Sequence, residues 1–155
     1  MNLFKKLSLG CGICLGVWMS ATYAACPEGS SYITLTNSSS YNLFVTKVSR
    51  SAGMLPSYAK PFKNVHYDNG ASTTVQLPAG ATGKITACSN GVKSGGNIYF
   101  STQAGGQNVT VLRYKAFYKL WLHGEVKKSC SLSPAGTCHA STDSNNNMNC
   151  SCTYQ

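Results

Sequence analysis

The residues best equipped to do chemistry lie between Arg113 and Lys128. Six basic side chains, Arg113, Lys115, Lys119, His123, Lys127 and Lys128, are interleaved there with Tyr114, Phe117, Tyr118 and Trp121. In an extended chain successive side chains point to opposite faces. Arg113, Lys115, Phe117, Lys119, Trp121 and His123 then share one face, and Leu112, Tyr114, Ala116, Tyr118, Leu120 and Leu122 share the other. One side is apolar and fit to bury; the other is cationic and aromatic. Such a side suits an anionic membrane surface, where rings enter the interface and lysines meet headgroups. It also suits single-stranded nucleic acid, whose bases stack on rings. Arg113, Lys115, Phe117, Lys119, Trp121, Lys127 and Lys128 are therefore the candidate surface-binding residues. The plain structural reading is a core strand whose lysines reach water past their apolar stems. Val109 and Val111 share the parity of the basic residues, so the strand is expected to bulge near Leu112 or to end there.

Catalytic chemistry is sparsely supplied. The histidines are His66, His123 and His139. Two histidines and a lysine can cleave RNA by paired acid–base catalysis, which makes His66, His123 and Lys115 the picks for a ribonuclease alternative. Glycosidase chemistry needs two placed carboxylates, and the four acids, Glu28, Asp68, Glu125 and Asp143, are far apart in sequence. No nucleophile elbow, zinc-protease pair or phosphate-binding glycine loop occurs. The reading is accordingly a non-catalytic binding protein with no cofactor and no metal. In a third reading the protein binds or inhibits another protein through its 49–71 loop, with Tyr58, Phe62 and Tyr67 as contacts.

The elements that must position these residues begin with an address. Lys5 and Lys6 precede a mostly apolar run from Leu7 to Met19, and Ala21-Thr22-Tyr23-Ala24 offers small residues for cleavage after Ala24. Residues 1–24 are expected to be a signal peptide of bacterial style, sending the chain to the periplasm or beyond the cell. The chain has 13 basic residues and 4 acids. Losing Lys5 and Lys6 leaves a net charge of +7, which draws the protein to anionic lipid, glycan or nucleic acid. No second apolar run is long enough to span a bilayer.

Of eight cysteines, Cys11 and Cys14 leave with the signal, and Cys26, Cys88, Cys130, Cys138, Cys150 and Cys152 remain. An even set in an exported domain reads as three disulfides, with fifteen pairings in principle. Cys150 and Cys152 face the same way in an extended chain, and a bond between them would close a small strained ring. Each is expected to pair elsewhere, with Cys130 and Cys138 as partners. A zinc site from Cys130, Cys138, His139, Cys150 and Cys152 lacks the usual paired knuckles, and disulfides are favoured over it. Asn37-Ser38-Ser39 and Asn108-Val109-Thr110 match glycosylation sequons, which matter only in a eukaryotic pathway.

Short alternating segments separated by turn residues predict strands at Tyr32–Thr36, Asn42–Val48, Ser72–Leu77, Lys84–Cys88, and a hairpin of Asn97–Thr102 with Asn108–Leu112 around Gln103–Gly106. In the second of these, Leu43, Val45 and Lys47 are expected to oppose Phe44, Thr46 and Val48. No convincing amphipathic helix longer than three turns appears. The fold class is all-β, an antiparallel β-sandwich over 25–128. Residues 49–71 are expected to form a long loop with one short strand near Phe62–Tyr67. Residues 129–155, dense in Cys and Asn, are read as an irregular, disulfide-held appendage of the same domain.

The stretch from Ile33 to about Tyr114 resembles the aegerolysin family. The resemblance is carried by Ile33-Thr34-Leu35-Thr36-Asn37-Ser38, by Leu77-Pro78-Ala79-Gly80-Ala81-Thr82-Gly83-Lys84-Ile85, by the cysteine near Ser89-Asn90-Gly91, and by Gly96-Asn97-Ile98-Tyr99-Phe100. It implies a compact sandwich that recognises membrane lipids, in some cases beside a pore-forming partner. It transfers no site residues. The cysteine-rich tail, the basic charge and the export signal depart from it.

Overall fold

The computed structural model describes residues 25–66, 73–119 and 125–155. The expected signal peptide, Tyr67, Asp68, Trp121 and His123 lie outside the described residues.

Eleven strands follow one another: β1 (Ser31–Asn37), β2 (Leu43–Ala52), β3 (Ser57–Ala59), β4 (Lys63–His66), β5 (Thr73–Leu77), β6 (Thr82–Ala87), β7 (Lys93–Ser101), β8 (Thr110–Lys119), β9 (Glu125–Ser133), β10 (Gly136–Thr142) and β11 (Met148–Tyr154). They form two packed sheets. A five-stranded sheet runs β10-β11-β1-β6-β3, and a six-stranded sheet runs β4-β5-β2-β7-β8-β9. Pairing is antiparallel except between β1 and β11, which are parallel. The all-β sandwich expected from the alternation is the fold observed.

Alternation fixes which side of each strand is core. Along β1 burial strictly alternates, with Ile33 and Leu35 inside. Ile85, Ala87, Met148, Cys150 and Cys152 complete the inner face of that sheet, and Leu43, Leu77, Ile98, Phe100, Leu112 and Tyr114 supply the facing layer. Burial of these side chains is the main drive for stacking the sheets. Asn37 is fully buried and ends β1. Its Nδ2 donates to the carbonyls of Tyr41 and Pro78 at 2.7 and 3.1 Å, so it pins two turns. That burial leaves no room for a glycan on its sequon.

The strand β2 departs from simple alternation. It bulges between Val45 and Lys47 and again between Arg50 and Ala52. Across the first bulge Val45 pairs with the inner Phe100, whereas Lys47 pairs with the outer Tyr99. The expectation that Val45 and Lys47 share a face is corrected by this extra residue. Residues 49–66 are also more regular than a long loop, because β2 runs on to Ala52 and β3 adds to the edge of the five-stranded sheet beside β6. The strand β4 lies where a short strand was expected.

The C-terminal segment is disulfide-held as expected, but it is strand rather than irregular chain. Residue 129 falls inside β9, and β11 sits between β10 and β1 in the interior of its sheet. The reason is visible in Met148-Asn-Cys-Ser-Cys-Thr-Tyr154, where every second side chain is buried. Cystine sulfur behaves there as core as well as staple.

Candidate surface-binding site

The strand β8 runs unbroken through Thr110–Lys119, with continuous register to β7 and to β9. Leu112, Tyr114 and Ala116 are buried, while Arg113 and Lys115 are exposed. The expected bulge or end near Leu112 does not occur. Val111 instead lies half-buried on the outer face, between Tyr99 and Ser133. The basic residues remain on the outside because the inner positions are held by the sandwich core.

Registry extends this stripe across neighbouring strands. Arg113 stands between Asn97 and Ser131, Lys115 between Gly95 and Ser129, and Phe117 between Lys93 and Lys127. Lys119 pairs with Glu125. On β2, exposed Lys47 lies over the Tyr99 ring, with its Nζ 5.6 Å from the centroid. The outer face of the six-stranded sheet thus carries Lys47, Lys93, Arg113, Lys115, Lys119 and Lys127 among serines and asparagine. Two of the four acids are described elsewhere: Glu28 bonds Asn146 Nδ2, and Asp143 accepts the backbone N–H groups of Asn145 and Asn147. A shallow depression of ≈ 360 Å³ lies at the centre of this face, lined by Ser49, Ser51, Asn97, Arg113, Lys115 and Ser129.

Lys128 does not join the stripe. It is exposed, but it pairs with the inner Ala116 and so has the opposite parity to Lys127. Adjacent residues of a strand cannot share a face. Of the seven candidates, Arg113, Lys115, Phe117, Lys119 and Lys127 lie together, Lys128 lies across the strand, and Trp121 falls outside the described residues.

Two loops flank the end of this face where β7 begins and β8 ends, one inside the 49–71 segment expected as a contact loop, and their exposed apolar residues were not among the expected contacts. Met54 and Leu55 are 60% and 63% exposed, and Val92 is 40% exposed. The loops are tied together. The Met54 N–H donates to the Cys88 carbonyl and the Tyr118 N–H donates to the Val92 carbonyl, each at 2.8 Å. Cys88 is bonded to Cys26. Gly53 has φ +75°, and a Cβ there would lie 2.5 Å from the Cys88 carbonyl oxygen, so only glycine lets the loops approach. Two apolar residues between Gly53 and Pro56 were the available signal.

Among the described residues the rival sites are not gathered. His66 is on β4 and Lys115 on β8, four strand spacings apart, or roughly 19 Å across the sheet. His139 is exposed on the outer face of β10, opposite Ser151, whereas Cys138 turns inward. Of the loop aromatics, Phe62 is buried against Tyr58, their ring centroids 5.2 Å apart, and serves the core.

The six cysteines are paired Cys26–Cys88, Cys130–Cys150 and Cys138–Cys152. Cys150 and Cys152 share the inner face of β11 and each bonds elsewhere, as the parity of the strand required. Three disulfides are what an oxidising compartment sustains. No helix among the described residues is long and apolar enough to cross a membrane.

No family model and no curated protein matches the chain. Among solved structures it is similar to RahU protein in complex with TRIS, at 12% identity and a TM-score of 0.49, over 82% of this chain and 96% of that one. It is also similar to IP-1A from Alcaligenes faecalis, at 11% identity and a TM-score of 0.42, over 84% and 94% of the two chains. Neither likeness, at these values, transfers a role to any residue.

Proposed function

We propose that the protein is an exported, non-catalytic binding domain that docks on anionic, amphipathic surfaces, foremost a membrane leaflet rich in acidic headgroups. The observation that carries this reading is the Lys93–Phe117–Lys127 row beside the exposed Met54, Leu55 and Val92. Cations surround an apolar tip, and each kind of group contributes to a different part of the same encounter. Lysines near an acidic leaflet contribute about 1 kcal/mol each. Exposed apolar side chains gain by leaving water at the interface. An anionic glycan would use the cations alone.

Co-sedimentation with vesicles of phosphatidylcholine, with and without phosphatidylserine, at low and high salt tests the reading. Binding should require the acidic lipid and weaken as salt screens the exposed charges. The triple variant Lys93→Glu, Lys115→Glu, Lys127→Glu should lose it. Undiminished binding of that variant at low salt would sink the proposal.

A further inference from the structure

The three C-terminal strands bring four sulfurs to one point. The Sγ atoms of Cys130, Cys138, Cys150 and Cys152 all lie within 4.8 Å of one another. The topology explains the convergence. Cys150 and Cys152 stand two apart on the inner face of β11 and are 1% and 2% exposed. Cys138 stands directly across from Cys152 on β10, and Cys130 reaches Cys150 from β9 in the other sheet. The two disulfides are in contact, with Cys150 Sγ 3.3 Å from Cys152 Sγ.

We infer that these four cysteines form a redox-gated metal site, which holds two disulfides when oxidised and one zinc ion when reduced. Four thiolates in a tetrahedral arrangement select zinc among the common divalent ions. With zinc–sulfur bonds of about 2.3 Å, ligand sulfurs are about 3.8 Å apart. The four sulfurs bracket that distance: the two bonded pairs are closer and would have to separate, Cys150 and Cys152 stand 3.3 Å apart, and no separation exceeds 4.8 Å. On reduction, each disulfide takes two electrons from a phosphine, which leaves as its oxide with the oxygen of one water, and that water supplies the two protons of the two thiols. Zinc then displaces four thiol protons to solvent. His139 faces away and is not a ligand. The consequence is that β9, β10 and β11 stay fastened under reducing conditions, where the disulfides are lost.

The test uses the full chain, reduced with a phosphine in the presence of zinc chloride, freed of excess metal and weighed by native mass spectrometry. One zinc per chain is expected, and cobalt(II) in its place should give the visible bands of a tetrahedral thiolate centre. The Cys26→Ser, Cys88→Ser variant should still take one zinc. The Cys138→Ser, Cys152→Ser variant, which retains the Cys130–Cys150 pair, should take none. A reduced wild-type chain that binds no zinc, folded or not, overturns the inference. So does equal uptake by the Cys138→Ser, Cys152→Ser variant.

Discussion

Tyr58 of β3 and Tyr114 of β8 turn their hydroxyls into the space between the sheets, and neither hydroxyl has a hydrogen-bond partner. Each pairs in register with inner-facing neighbours, Tyr58 with Ile85 and Tyr114 with Cys130. Tyr114 is 3% exposed. A buried hydroxyl without a partner loses its hydration for no return, at a cost of about 1–3 kcal/mol. Tyr114→Phe keeps the ring and removes the orphan. It should leave stability unchanged or raise it by about 1 kcal/mol, read as the midpoint of urea unfolding. A loss above that would show a partner for the hydroxyl.

The same pair predicts a response to alkali. Burial pushes both phenols above the ordinary value of 10.0, with Tyr114 adding to the shift at Tyr58 and Arg50 opposing it at Tyr114. A raised folded-state value means that the unfolded chain releases these protons first. Their contribution is fully present below about pH 10 and is lost as pH rises beyond it. Unfolding midpoints should therefore fall as pH rises above about 10, and fall less in the Tyr58→Phe, Tyr114→Phe double variant. Equal slopes would contradict the assignment.

Cys130–Cys150 is the bond that joins the two sheets, since β9 belongs to one and β11 to the other. It closes a sequence separation of 20 residues. By chain entropy it should contribute about 3 kcal/mol. Replacing both cysteines by serine, which avoids a free thiol, should lower the unfolding free energy by about that amount. Cys138–Cys152 joins neighbouring strands already paired in register, with a separation of 14, and its removal should cost less.

Gly96 of β7 pairs with Arg50 of β2. A Cβ there would lie 2.4 Å from the Ser49 carbonyl oxygen and 3.0 Å from the Tyr114 hydroxyl. Backbone cannot rotate away as a side chain can. Gly96→Ala should cost about 2 kcal/mol through forced separation of the pair. Gly105→Ala, in an open turn with nothing near its Cβ, meets only its own positive φ of +67° and should cost about 1 kcal/mol. Thermal melts of the two variants rank these effects.

Much of this fold was legible because burial follows a two-residue period. Ile33 and Leu35, and Leu112, Tyr114 and Ala116, announce their inner faces in sequence, and the shared parity of Cys150 and Cys152 required outside partners for each. The failures have physical causes. Lys128 was grouped with Lys127 by proximity in sequence, although the same period separates them. The strand β11 was hidden because its cysteines were counted as staples and not as core. Lys47 reached the cationic face only through a bulge, which hydrophobic alternation does not encode. Met54, Leu55 and Lys93 join the site through the Cys26–Cys88 clamp and the β7–β8 register, both long-range relations that local pattern cannot carry.

The two outer faces of the sandwich give the binding proposal an internal control. Lys84 is exposed on the five-stranded sheet, in a depression of ≈ 380 Å³ lined by Tyr32, Thr34, Thr86, Asn149 and Ser151. It carries the same charge as Lys93 but lies on the opposite side of the domain. Lys84→Glu changes net charge as much as Lys93→Glu does. Bulk attraction would make the two equivalent, whereas a docking face makes Lys93→Glu the more damaging. The apolar tip separates lipid from plain polyanion. Met54→Ser with Leu55→Ser removes side chains worth about 1 kcal/mol each at an interface, so vesicle affinity should fall roughly thirtyfold. Affinity for a soluble sulfated polysaccharide should not change, because no charge is altered. Equal losses on both ligands would mean that the tip supports the fold of the face. No loss on vesicles would remove the membrane from the reading and leave the cationic face to an anionic glycan.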